Sequence, residues 1–296
     1  MKLSGRTRVA GVFGDPVEHS LSPPMHNAAF AALGLDWVYV PFHVKRDALG
    51  AAVRGIAALG MAGVNVTVPH KVAVLEHLDE IDEEARLIGA VNTIVNRSGR
   101  LVGYNTDGRG FLRSLERQGG AGPRGASVVV VGAGGAAQAI ACSLALHGAA
   151  RVTIANRSPE KAAALARRIG GYTRAEGISL DPDELAPRLA GADILVHTTP
   201  VGMYPHHDVP PAVPPELLSP GTLVCDIVYT PRETSLIAAA RARGCQVVTG
   251  EGMLAYQGAI AFELWTGRQA PEDVMLETLQ ALLAAREEPP AAAGRQ

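Results

Sequence analysis

Cysteine is scarce in this chain of 296 residues: Cys142, Cys225 and Cys245 stand alone, with no C-x-x-C spacing among them. That argues against a disulfide framework or a cysteine-held zinc site, and makes a reducing cytoplasm the expected compartment. Cys142 lies in an apolar helix-like run and Cys225 in an apolar strand-like run, where each reads as a small buried hydrophobe. Neither sign of charge dominates. A formal net charge of −2 gives no electrostatic reason to expect nucleic acid or an anionic membrane as partner. No apolar stretch reaches the roughly 18 residues that a membrane-spanning helix needs. Lys2, Arg6 and Arg8 lead into a short glycine-broken strand, without the apolar core of about 7–15 residues that marks a signal peptide. No metal-ligand cluster is evident, and no metal is expected.

What is present suits a large folded core. Hydrophobic residues make up 47% and charged residues 19%, against disorder, and the length favours two domains. Strand-like runs at 9–13, 37–43, 63–68 and 90–96 alternate with helical patterns at 22–33 and 47–59, with Asp47 as the expected N-cap of the latter. Strands separated by helices predict βαβ units and a largely parallel sheet. A helix over 108–118 ends in a Gly/Pro-rich stop at 119–123. A second α/β pattern follows, with strands at 127–131, 151–155, 193–197, 223–228 and 246–249 and helices to 146 and over 158–169. Two last helices span 253–264 and 271–286, and 287–296 reads as a frayed tail. The fold class expected is α/β.

The most informative local feature is VVVVGAGGAAQAIACSLALHG, in which an apolar strand runs through Gly132, Ala133, Gly134, Gly135 and Ala136 directly into a helix. This is the context a dinucleotide fingerprint requires: glycines permit the tight turn and let backbone N–H groups approach a pyrophosphate at the positive end of the helix. The next strand ends in Asn156, Arg157 and Ser158, with no carboxylate before Glu160. An NAD site usually carries an acid there; Arg157 offers a guanidinium fork to a 2′-phosphate and Lys161 adds a second positive charge. NADP is therefore expected over NAD.

Polar groups gather at other strand ends. Ser20 and Ser22, two residues apart in what reads as an extended segment, point the same way and suit a carboxylate. The segments NVTVPHK (65–71), GAVNT (89–93) and GYNTDG (103–108) add amides, hydroxyls, a lysine and a carboxylate. Ligands of open α/β sheets collect beyond the carboxyl ends of the strands, although Asn, Thr and Asp also serve as plain turn formers.

These segments, together with HSLSP (19–23), GAGGA (132–136), NRS (156–158) and GMLAYQGAIAFELWTG (252–267), resemble the shikimate dehydrogenase family, in the family's order over nearly the whole chain. The resemblance implies a discontinuous α/β substrate domain, 1–107 plus 252–286, with a doubly wound Rossmann-like NADP domain, 108–251, inserted into it and a cleft between the two. It implies that Ser20 and Ser22 bind a substrate carboxylate and that Thr67, Asn92, Asp107 and Gln257 bind ring hydroxyls. Lys71 pairs with Asp107 as the catalytic couple, and Tyr229 lies near the substrate. Thr198, Gly250 and Met253 fall on the cofactor side. The implied reaction is reversible NADPH-dependent reduction of 3-dehydroshikimate to shikimate, in aromatic amino acid biosynthesis. Two departures stand out: His197 in a segment usually read as NATP or NTTP, and Thr230 where many relatives have asparagine. His197 either alters a polar contact or is a tolerated substitution, the second being the expected reading.

The chemistry suits those residues without the family. Ketone reduction needs a proton for the developing alkoxide; a lysine ammonium supplies it and stabilises the charge, and a carboxylate positions the lysine. Lys71 and Asp107 are assigned as a coupled pair without fixing either role. Rival readings are an NAD-dependent quinate/shikimate dehydrogenase, against which the missing acid at 156–158 counts, and a non-catalytic NADP-binding regulator. The expected partner is the small-molecule substrate alone; a homodimer is left open.

Overall fold

The computed structural model describes residues 3–287, so the expected tail lies outside the described residues apart from Glu287. In the first half, the β-branched and aromatic runs form β1 (Arg8–Gly14), β2 (Trp37–His43) and β3 (Gly63–Val66), with helices α1 (Ser22–Ala32) and α2 (Leu49–Ala58) between them. β4 (Glu80–Ile81), α3 (Glu83–Ile88), β5 (Thr93–Arg97) and β6 (Arg100–Tyr104) complete a six-stranded sheet of order β2-β1-β3-β5-β6-β4. The expected parallel character holds except at β5, which runs antiparallel to both β3 and β6. β5 and β6 form a hairpin whose turn is set by Ser98 and Gly99, both at positive φ (54° and 94°), the twist that a tight hairpin needs. Asp47 is not an N-cap. It lies inside a 3-10 turn, Arg46–Ala48, whose last residue precedes α2, so no side-chain cap is made.

α4 (Asp107–Gly119) leads to the second sheet, and its glycine C-cap at Gly120 adopts the left-handed conformation, which stops the helix where the sequence indicated. β7 (Ser127–Val131), β8 (Arg151–Ala155), β9 (Arg174–Ile178), β10 (Ile194–His197), β11 (Leu223–Asp226) and β12 (Val247–Val248) pair in parallel throughout, in the order β12-β11-β10-β7-β8-β9. Counted from β7, this is the doubly wound order 3-2-1-4-5-6, whose crevice opens between the first and fourth strands, here between β7 and β10. Helices α5 (Gly135–Leu146), α6 (Pro159–Ile169), α7 (Pro182–Leu189) and α8 (Ser235–Ala242) cover it. Coverage on both faces explains the valine run of β7, of which four residues are buried. Each fully buried valine stabilises by roughly 1.5–3 kcal/mol.

The chain then returns. α9 (Gly250–Thr266) starts three residues earlier than the apolar pattern suggested, and α10 (Glu272–Glu287) follows. Ala255, Ala259, Phe262 and Trp265 of α9 and Met275, Leu279 and Leu283 of α10 share one core with Met25, Ala29 and Phe30 of α1 and with β1 and β2. Trp265 Nε1 also donates to the Ile94 carbonyl of β5 at 2.9 Å. The last helices therefore pack on the first sheet. Among the described residues, no helix is long and apolar enough to cross a membrane. All three cysteines are free and buried, as expected for Cys142 and Cys225, and burial pushes the Cys142 thiol up to about 12.

Candidate active site

Three strand ends of the first sheet build a polar cluster. Asn65 and Thr67 share a face because side chains alternate along a strand. Val66 N donates to Asn92 O at 2.8 Å and Val91 N donates to Lys71 O at 2.8 Å, which ties the segment carrying Lys71 to the segment carrying Asn92. Asp107 opens α4, held by Asn105 Oδ1, which accepts from its backbone N–H at 3.1 Å. Here Lys71 Nζ donates to Asp107 Oδ2 at 2.6 Å, while Asn92 Nδ2 donates to Asp107 Oδ1 at 2.8 Å. Asn92 Oδ1 in turn accepts from Thr106 N at 2.8 Å and Thr93 Oγ1 at 3.0 Å. Asn65 Nδ2 donates to Thr93 Oγ1 at 3.0 Å, and Tyr39 OH donates to Asn65 Oδ1 at 2.7 Å. The two bonds to Asp107 are charge-assisted, a kind worth roughly 1.5–3 kcal/mol each, and they fix both carboxylate oxygens. Burial holds the Tyr39 hydroxyl well above its usual pKa, partly offset by a bond to Ser22, so it stays a donor.

Asn65, Lys71, Asn92 and Asp107 of this network line a cavity of about 350 Å³. All eight residues expected at the substrate and catalytic site are in its wall: Ser20, Ser22, Thr67, Lys71, Asn92, Asp107, Tyr229 and Gln257. Gly250 and Met253 join them, from the start of α9. Ser20 and Ser22 reach the cavity by a different route from the one expected. Leu21 has φ −87° and ψ −6°, and Ser22 is already the first residue of α1, so a turn and not an extended segment brings the two hydroxyls together. The Pro23-Pro24 pair starts the helix this early, since proline suits a first helical turn. Gln257 is set by a close helix crossing: a Cβ on Gly110 of α4 would lie 2.6 Å from Gln257 N, so only glycine lets α9 approach this far. Burial raises the Tyr229 hydroxyl above its usual pKa, against the opposing charges of Arg286 and Lys71. Arg286, near the end of α10, donates to the His19 carbonyl at the cavity wall.

The remaining cofactor-side residues stand outside that cavity, along the β7–β10 crevice and the end of β8. Gly132, at φ +119°, abuts the Thr198 hydroxyl so closely that a Cβ would collide with it. Thr198 is pinned in turn to the end of β7, its N–H and hydroxyl both bonding to the Val131 carbonyl at 2.9 and 2.8 Å. Gly134 and Gly135 have open space where a side chain would be, and α5 begins without a side-chain cap. A loop with free backbone donors and nothing filling the space beside it is what a pyrophosphate needs, so the residues present fit a dinucleotide. At the end of β8, Asn156 Nδ2 donates to the Ser158 carbonyl at 3.1 Å and shapes the turn. Arg157 on that turn and Lys161 in the first turn of α6 are both exposed.

Sequence reasoning missed several contributors. Asn65 is in the cavity wall, and its signal was the alternation with Thr67. Thr106 and Asn105 hold the segment that carries Asp107, and the polar run 105–107 was the available hint. His197 is buried and bonded to Asp226 and Thr199. Among the described residues, no group of three or more His, Cys, Asp or Glu could hold a metal ion.

A doubly wound sheet with a glycine turn, joined to a second α/β unit that carries a lysine–aspartate pair in a polar cavity, defines a two-domain protein of the dinucleotide-binding dehydrogenase type. The chain matches the shikimate dehydrogenase substrate binding domain over residues 12–94, shikimate / quinate 5-dehydrogenase over 116–206, and the shikimate 5'-dehydrogenase C-terminal domain over 250–280. It is 51% identical over 280 residues to the shikimate dehydrogenase (NADP(+)) of Desulforamulus reducens, covering 94% of this chain and 96% of that one. It superimposes on the shikimate 5-dehydrogenase of Thermus thermophilus in complex with NADP(H) and shikimate with a TM-score of 0.82, at 39% identity over 93% of this chain and 99% of the other. The quinate dehydrogenase of Corynebacterium glutamicum in complex with NAD is also similar, with TM-score 0.85, 35% identity and 93% and 99% coverage. The chain belongs to the shikimate dehydrogenase family.

Proposed function

We propose that this chain catalyses the reversible NADP-dependent reduction of 3-dehydroshikimate to shikimate, a step toward aromatic amino acids, with Lys71 and Asp107 as its acid/base pair. The observation that carries the reading is the single cavity in which Ser20, Ser22, Thr67, Lys71, Asn92, Asp107, Tyr229 and Gln257 converge. NADPH, when bound, would supply the hydride for the carbonyl carbon. Lys71 Nζ holds the proton that completes the alcohol, and in the reverse direction takes it back. Asp107 orients that ammonium through Oδ2, and Asn92 keeps the carboxylate from turning away. Positioned proton transfer of this kind contributes roughly 10²–10⁴ in rate. Ser20 and Ser22 receive the substrate carboxylate, while Thr67, Asn92, Asp107 and Gln257 select the ring hydroxyls, with Tyr229 closing the wall. Gly132, Ala133, Gly134, Gly135 and Ala136 would hold the pyrophosphate. Asn156, Arg157, Ser158 and Lys161 would hold the 2′-phosphate, Thr198 would lie on the cofactor side, and Gly250 and Met253 would lie on the nicotinamide side.

The same reading divides the chain into a substrate domain, 1–107 plus 252–286, and an NADP domain, 108–251; the return of α9 and α10 onto the first sheet supports it. It places the protein in the cytoplasm, supported by three unpaired cysteines. Sedimentation distinguishes a homodimer from a monomer. The function is tested by NADPH absorbance with shikimate and quinate, each with NADP and NAD. Shikimate with NADP is expected to be by far the fastest pair. Preferred use of quinate with NAD supports the rival dehydrogenase, and silence in all four supports a non-catalytic regulator.

A further inference from the structure

A second buried polar chain lies beyond the ends of β10 and β11, outside the cavity wall. His197, 1% exposed, is the last residue of β10, and Asp226, 2% exposed, is the last of β11; the two are paired in register. His197 Nδ1 is 2.9 Å from Asp226 Oδ1, and its Nε2 is 2.5 Å from Thr199 Oγ1. Asp226 Oδ1 also accepts from Val228 N at 3.0 Å, and Oδ2 from Thr234 Oγ1 at 2.7 Å. Thr234 Oγ1 accepts from Ile237 N at 3.2 Å, and Thr199 Oγ1 from Val201 N at 3.3 Å. Nδ1–H donates to the carboxylate, and Nε2 shares one proton with the Thr199 hydroxyl, so both ring nitrogens are bonded. A buried carboxylate is tolerable only with such a set of donors.

What the imidazole joins gives the network its use. On one side is the segment 198–201, in which Thr198 touches Gly132 of the dinucleotide turn. On the other is the segment leaving β11, in which Ile227 and Tyr229 are cavity wall. We propose that His197 is a positioning residue for hydride transfer: its paired contacts to Thr199 and Asp226 lock the cofactor-side segment to the Ile227–Tyr229 wall, and so fix the distance between the two ligands. This rests on the proposed function above. It concerns alignment in the ternary complex, so each ligand alone binds as before, whereas turnover depends on the lock.

The test compares His197→Phe, which keeps a ring but loses both bonds, with Thr199→Val, which cuts only the Nε2 bond, and with His197→Asn, which retains a donor toward Asp226. The readouts are kcat, the binary dissociation constants for NADP and for shikimate, and the isotope effect on kcat with deuterated NADPH. For His197→Phe, kcat is expected to fall by roughly ten- to a hundredfold, since small misplacements of reacting groups cost this much. Both binary constants should stay close to wild type, and the isotope effect should grow. Thr199→Val should show the same pattern more weakly, and His197→Asn should recover part of the loss. Wild-type kcat in a folded His197→Phe, or a lowered thermal midpoint with unchanged kinetics, overturns the inference. Should His197→Phe fail to fold, Thr199→Val decides, and unchanged kcat and isotope effect there overturn it equally. A wild-type enzyme that turns over neither shikimate nor quinate defeats the proposed function instead.

Discussion

At the ends of the first sheet, Lys71, Asp107, Asn92, Thr93, Asn65 and Tyr39 hold one another in a continuous chain of side-chain bonds between 2.6 and 3.0 Å. At the end of β7 the arrangement is the reverse: Gly134 and Gly135 present backbone with empty space beside it, and Arg157 and Lys161 stand exposed on the next turn. The first region is cross-bonded among its own side chains, so in the proposed reaction Lys71 and Asp107 need little rearrangement. The second offers backbone donors at the glycine turn and charge on exposed side chains. Chemistry is therefore expected to be intolerant of substitution in the first region, whereas cofactor preference rests on a few exposed side chains in the second.

The comparison breaks most sharply at Asp107. In Asp107→Asn the amide cannot accept from Lys71 and Asn92 as the carboxylate does, and kcat is expected to drop by roughly 10²–10⁴, measured by steady-state NADPH absorbance. A drop under threefold would mean that the chain of bonds is scaffolding only. In the open region, Arg157→Ala should raise KM for NADP by about ten- to a hundredfold, the worth of one charged hydrogen bond, and leave KM for NAD unchanged; equal effects on both cofactors would place Arg157 elsewhere than at the 2′-phosphate.

The substrate half also depends on its dry backing. His26, stacked on Tyr39 with ring centroids 4.4 Å apart, is held to about 3 by burial. The unfolded chain binds its proton below about 6.5 and the folded one does not, so stability is lost as pH falls from about 6.5 toward 3, by roughly 1.4 kcal/mol per unit from this group. Urea titrations across that window should show a shallower fall in His26→Leu; identical slopes would mean that the ring is not kept neutral. The smallest effect is expected for Tyr39→Phe, which removes the bond to Asn65 and should cost about 0.5–1.5 kcal/mol in urea-unfolding free energy, with kcat/KM reduced a few-fold. An unchanged protein would show that the network ends at Asn65.

The two regions also differed in how far they could be read from sequence. The dinucleotide turn is legible because strand, glycines and helix are contiguous, so local chemistry dictates the fold of 127–146. The cavity residues came from scattered segments, and physical reasoning alone could say only that polar groups sat at strand ends; their convergence on one cavity is a product of the sheet order β1-β3-β5-β6 and of the helix α9 that returns to it. β9 escaped notice because its half-exposed sequence RAEGI lacks an apolar run, and α7 because Pro187 lies inside it. The β5–β6 hairpin was hidden in a turn of ordinary appearance, although Ser98-Gly99 carries the positive φ values it needs. The His197–Asp226 pair could not be read at all: two residues separated by 29 positions meet only because β10 and β11 lie side by side in that register.

Lys71 is expected to deliver the proton within a site whose side chains are already bonded around it. The most direct test is a single-turnover measurement of NADPH consumption by wild type and Lys71→Ala with 3-dehydroshikimate, alongside NADPH binding to each by fluorescence titration. The account predicts a rate lower by roughly 10²–10⁴ in the variant with unchanged NADPH affinity. A variant that consumes NADPH as fast as wild type would contradict it.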